Sequence, residues 1–204
     1  MVRNREGGTW NKRRLGPCGC CRVLILVDMT RKIELDPIVE ALEHMPYGLY
    51  IIGSRGSDNI NGMMADWVMQ VSFKPRLVAC AIENDARTLR FIRETKSFTV
   101  NLLHQSDGAG IARQVVMPAE ASKIRGRSEE ASAVVVNKLA EIEHGIHENG
   151  CPVLDDSLGW LACEAEQFLP TGDHTIVVGR VTDGAVLRAG EMLIERELGW
   201  EYAG

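Results

Sequence analysis

The stretch Asn61-Gly62-Met63-Met64-Ala65-Asp66-Trp67-Val68-Met69-Gln70-Val71-Ser72-Phe73, closed by Lys74-Pro75, decides the fold. It reads as one extended segment stopped by a proline. Before it, Gly48 to Ser54 reads as a strand rich in Ile, Leu and Tyr. Arg55-Gly56-Ser57-Asp58 makes the turn between the two. After it, Leu77 to Ile82 is a continuous apolar run, as expected of a strand buried on both faces. Extended segments follow one another here without the strand–helix alternation of a doubly wound sheet.

Further out, helices flank these strands. Asp36-Pro37 begins a helix well, because Asp caps free N–H groups and Pro is tolerated in the first turn. Ile38, Leu42 and Met45 form its apolar stripe, and Pro46 stops it. Asp85 is placed to cap a second helix that turns Leu89, Phe91 and Ile92 inward. Ser97 to Leu103 is another strand, and Ser106 or Asp107 can cap a short helix through Val116. Residues 118–150 are irregular, with one helical turn near Glu129 to Val135. Two long strands, Leu158 to Phe168 and Thr175 to Val181, are joined by Pro170-Thr171-Gly172-Asp173. A short strand is expected near Met192 to Arg196. Six or seven strands with two or three helices favour a mainly β fold, an antiparallel barrel with helices at its ends.

Composition narrows the function classes. One domain is natural for 204 residues. No apolar run approaches the ~20 residues of a membrane span. Residues 1–28 hold six Lys or Arg against two acids, a charge of +4, so the remaining chain carries −9 of the total −5. An acidic body is a poor partner for nucleic acid, whose binding depends on neutralising phosphates. Cys18, Cys20 and Cys21 crowd the N-terminal region, while Cys80 and Cys163 sit in apolar stretches. Reduced thiols of a cytoplasmic protein are expected, with no metal site. Residues 1–28 read as a disordered or artefactual extension, with Met29 as the natural start and residues 29–204 as the domain. The sequence contains no G-x-G-x-x-G, no Walker loop, no H-E-x-x-H and no G-x-S-x-G.

Several stretches, in this order and spacing, resemble the flavin reductase family. They are Pro46 to Ile52 with Asn61 to Phe73 and Pro75; Glu83 to Thr88 with Ser97 to Leu103; and Gly172 to Val181. Cys151 to Leu154, Gly159 to Leu161 and the closing Leu198-Gly199-Trp200-Glu201-Tyr202 are similar as well. The resemblance implies an antiparallel Greek-key split β-barrel of the FMN-binding type, working as a homodimer. It implies FMN as cofactor, with FAD possible, and NADH or NADPH as donor. The acceptor it implies is free flavin, with a monooxygenase or other electron-acceptor protein as partner. The alternative is an FMN-holding protein that passes electrons to a protein partner and reduces no free flavin.

The resemblance also assigns residues. Asn61, Gly62, Met63, Met64, Ala65, Asp66, Gln70, Val71 and Ser72 would read the flavin ring from an extended strand, and Asn101 would join them. Family members commonly carry hydroxyl residues where this chain has Met64 and Met69. The plain alternative is that Met64, Trp67 and Met69 are core. Arg87 and Thr88, in the first turn of a helix, would hold the phosphate, because free N–H groups and the helix dipole favour anions there. His174 would act in catalysis, orienting nicotinamide or managing a proton near neutral pH. Hydride transfer is the cofactor's own chemistry, so no catalytic dyad is required.

Overall fold

The computed structural model describes residues 36–116 and 137–199. The N-terminal extension and the helical turn expected at Glu129 to Val135 lie outside the described residues. The chain divides into two compact units, and residues 46–198 form the larger. Helix α1 (Pro37–Leu42) belongs to the other. It starts as its sequence dictates, with the Asp36 side chain accepting from the Ile38 N–H at 2.9 Å. Its apolar stripe stays exposed, Ile38 at 69%.

The larger unit is built on seven antiparallel strands in the order β2-β1-β5-β8-β9-β4-β3. These are β1 (Tyr50–Arg55), β2 (Ile60–Ala65), β3 (Val68–Phe73), β4 (Arg76–Glu83), β5 (Ser97–Leu102), β8 (Gly159–Thr171) and β9 (His174–Val186). A small hairpin, β6 (His144–Ile146) with β7 (Pro152–Leu154), packs beside them. The mainly β, antiparallel expectation holds.

One expected segment proves to be two. The stretch from Asn61 to Phe73 breaks at Asp66-Trp67, and its halves become β2 and β3, the opposite ends of the sheet. The chain bends where the Val68 N–H bonds the Asp66 carbonyl at 2.9 Å, closing a three-residue turn. The sheet is therefore open between its end strands. The short strand expected at Met192 to Arg196 is instead two isolated bridges, His104 with Met192 and Gly48 with Ile194, followed by a 3-10 helix, Glu195–Leu198.

The core gathers Ile52, Val78, Cys80, Ile82, Phe98, Val100, Cys163 and Val177 from the sheet. Helix α2 (Arg87–Thr95) covers it with Leu89 and Ile92, and buries Phe91 as well. Each such side chain contributes about 1.5–3 kcal/mol by leaving water. The helix begins from Ala86, not from Asp85 as its sequence predicted, and no side chain caps it. Its end is a left-handed Lys96 whose N–H bonds the Ile92 carbonyl at 2.8 Å. Helix α3 (Gly108–Val115) follows Asp107 where it was expected, but the Asp107 side chain makes no capping bond. Cys80, Cys151 and Cys163 are free and buried, and burial pushes the Cys80 and Cys151 thiols up to about 12.

Candidate functional site

Two groups of side chains stand at the two ends of β2. At its C-terminal end, the Trp67 carbonyl accepts from the Ala81 N–H at 3.0 Å, which ties the bend to β4. Strand β9 lies next to β4 and opens on His174, opposite Glu83. The Trp67 and His174 rings pack with centroids 4.9 Å apart and planes at 44°. Tyr47 lies against the same indole, with centroids 6.5 Å apart. His174 Nδ1 sits 2.8 Å from the Asp173 carboxylate, which fixes the ring's orientation.

Two carboxyl groups, Asp66 and Glu195, act on Tyr47 through their charge. Asp66 is half-buried. Burial raises its affinity for a proton, against the pull of the Asp66 and Trp67 N–H groups and of His174. Glu195 is 7% exposed. Its carboxyl is pushed up to about 7, first by burial and then by the charge of Asp66, with Arg196 opposing. The Tyr47 hydroxyl is also raised, by burial and then by Asp66.

At the N-terminal end of β2, the Asn61 side-chain amide donates to the Thr88 hydroxyl at 2.8 Å. Both residues are buried, so this bond ties the strand to the first turn of α2. Arg87 lies beside it, its guanidinium 4.9 Å over the Phe91 ring. Arg87 and Arg55 line one cleft of about 660 Å³, closed by the β1–β2 hairpin, Asn137 and Gly150. Arg55 Nε donates to the Asn149 carbonyl at 2.9 Å. Gly150 makes this possible: its φ is +81°, and a Cβ there would stand 2.4 Å from Arg55 Cδ. A second cleft, about 720 Å³, is lined by Gly159, Trp160 and Leu161 of the resembling stretches and by the far half of β9, but by none of the residues assigned to flavin binding or catalysis.

The structure thus brings Asp66 and His174 together, and places Arg87 and Thr88 at the far end of the same strand. Other expected residues take different places. Ala65 lies in the core cluster, with Met63 packed against it. Gly62 makes room for Leu139, whose Cδ2 would stand 2.7 Å from a Cβ. Met64 is half-buried. Met69 is not core, being 63% exposed on β3. Gln70 and Val71 are exposed on that end strand, and the Gln70 amide donates to the Ser72 carbonyl at 3.1 Å. Asn101 is fully buried. Its amide donates to the Ile51 carbonyl at 3.0 Å and accepts from the Leu154 N–H at 2.9 Å, holding β1, β5 and β7 together. Tyr47, Arg55 and Glu195 were not picked out from the sequence. In the sequence Arg55 reads only as a turn residue, and Glu195 as part of a strand.

Known proteins are similar to this chain. Residues 42–197 match the family described as flavin reductase like domain. The high molecular weight rubredoxin of Moorella thermoacetica is 33% identical over 153 residues, 74% of this chain and 61% of that protein. A putative diflavin flavoprotein of Synechocystis is 26% identical over 174 residues, 83% of this chain but 28% of the relative. This chain therefore spans only part of the length of these relatives. Among solved structures, an NADH:FAD oxidoreductase of Streptomyces globisporus, in complex with NAD and FAD fragments, aligns with a TM-score of 0.63. It is 22% identical, with 76% of this chain and 83% of that one covered. A putative flavin reductase of Haemophilus somnus aligns with a TM-score of 0.66 at 19% identity, covering 81% and 97%. These likenesses fix the fold, and the match over residues 42–197 fixes the family: the chain belongs to the flavin reductase like domain family.

Proposed function

We propose that this chain is an NAD(P)H:flavin oxidoreductase that holds FMN along β2. The observation that carries this reading is the pairing of two unlike groups at the ends of one strand. The Arg55–Arg87 cleft has the donor chemistry of a phosphate site, where forked guanidinium groups and the first-turn N–H groups of α2 favour an anion. The Trp67–His174–Tyr47 group offers flat apolar surface with polar edges, which suits a flavin ring. Strand β2 has six residues and reaches roughly 20 Å at ~3.3 Å per residue, so an extended nucleotide can touch both groups. Bound flavin would supply the hydride acceptor. His174, held by Asp173, orients the nicotinamide, and Trp67 backs the ring. Asn61 and Thr88 serve indirectly, by fixing β2 to α2.

The test is an absorbance spectrum of the purified protein with FMN, followed by anaerobic NADH or NADPH. Bleaching of the flavin band supports the reductase and names the donor. A bound flavin that neither nucleotide bleaches would reject it in favour of an electron-transfer protein. That second reading is favoured by the relatives named as a rubredoxin and as diflavin flavoproteins, which this chain matches over part of their length. A separate electron-acceptor protein, such as a monooxygenase, and a homodimer belong to the same proposal, as does a cytoplasmic setting. Among the described residues no helix is long and apolar enough to cross a membrane.

A further inference from the structure

The turn that carries His174 is held from outside its own hairpin. Gly172-Asp173 joins β8 to β9, and Gly172 takes φ +77°, as the first residue of a tight two-residue turn does. Beside it, the chain leaves β4 at Glu83 and enters α2 at Arg87. Asn84 stands in that connection. Its N–H donates to the Asp173 carbonyl at 2.9 Å. Its side-chain amide donates to the Gly172 carbonyl at 2.8 Å. Its side-chain oxygen accepts from the Thr175 hydroxyl at 2.6 Å. Thr175 is buried, and its hydroxyl in turn accepts from Arg93 of α2 at 3.3 Å. The bonds from Asn84 thus fall on both sides of His174.

We propose that Asn84 is a positioning residue: its side chain locks the Gly172-Asp173 turn to the β4–α2 connection and so fixes where the His174 ring stands against Trp67. The proposal rests on the flavin reading above, in which that ring orients the nicotinamide. A hairpin tip is among the more mobile parts of a fold unless something ties it down. The Asp173 carboxylate turns the imidazole but belongs to the same tip and is 91% exposed, so it cannot anchor the tip. Asn84 can, because an amide both donates and accepts, and both functions are used here. Alanine offers neither. Placement of this kind shows in rate, since a shift on the order of 1 Å in a group that orients a reactant costs up to ~10²-fold.

The experiment is stopped-flow reduction of bound FMN by saturating NAD(P)H. Asn84→Ala and Thr175→Val should reduce roughly tenfold more slowly than wild type, with FMN affinity within about twofold. Thr175→Ser, which keeps the hydroxyl, should reduce at the wild-type rate. Asn84→Ala is then combined with His174→Asn. There it should slow reduction by less than about twofold, because the clamp acts through the imidazole. Equal slowing with and without His174 overturns the proposal, as does an unchanged rate in Asn84→Ala alone. Failure of NAD(P)H to bleach flavin in wild type overturns the flavin reading instead. The clamp is then decided in flavin-free protein by nuclear Overhauser contacts between the Trp67 and His174 rings. Contacts present in wild type and Thr175→Ser but weakened in Asn84→Ala support it. Contacts unchanged in Asn84→Ala overturn it.

Discussion

Trp67 and His174 pack ring on ring, 4.9 Å between centroids, although one sits in the bend between β2 and β3 and the other opens β9. The contact depends on the break in what looks like one strand. Had residues 61–73 run straight, Trp67 would be one side chain among alternating neighbours. The turn at Asp66 instead presents the indole to the edge where β9 begins. If this pair backs the reacting rings, His174→Asn should slow bleaching of bound FMN by NAD(P)H on the order of tenfold, with FMN affinity nearly unchanged. Stopped-flow reduction beside an equilibrium titration separates the two effects. A loss of affinity equal to the loss of rate would make His174 a binding residue only.

The phosphate end is tested by subtraction. Arg87 is half-buried and shares its cleft with Arg55. Arg87→Ala should weaken FMN binding roughly tenfold, the worth of a partly exposed charge-assisted bond. Riboflavin, which lacks the phosphate, should bind both proteins alike. Equal losses for FMN and riboflavin would place Arg87 elsewhere than at the phosphate.

Asn101 shows how far the sequence could be read. Its place in a strand was legible from the apolar run around it, and so was the antiparallel class of the fold. What its amide does was not legible, because its partners, Ile51 and Leu154, lie far off in the chain and are backbone groups. The same limit hid Arg55, whose position depends on Gly150, and Glu195, whose N–H is held by the carbonyl of the distant Tyr47. His174, Asp66 and Arg87 could be picked out because they lie inside motifs that keep their spacing. The bend at Asp66 escaped notice because nothing between Asn61 and Phe73 is a Pro, and the one Gly, Gly62, lies within β2.

Asn101→Ala should therefore act on stability. It leaves the Ile51 carbonyl and the Leu154 N–H buried without this partner, at a cost of about 3 kcal/mol. For a chain of this size that is a fall of roughly 6–12 °C in Tm. Thermal melts of the flavin-free protein measure it. An unchanged Tm with lost FMN affinity would return Asn101 to the cofactor.

Glu195 makes a prediction about the fold with no flavin present. A carboxyl held at about 7 in the folded protein titrates near 4.5 when unfolded. Between those values the folded chain binds the extra proton, so stability falls as pH rises through the window. Below about pH 4.5 both states are protonated and the group contributes no penalty. Above about 7 both are ionised and the penalty is complete. Glu195→Gln cannot lose a proton and escapes it. The variant should therefore gain on wild type as pH rises from 5 to 8, on the order of 1 kcal/mol or about 2–4 °C in Tm. Parallel melting curves against pH would mean that Glu195 titrates as an ordinary surface acid.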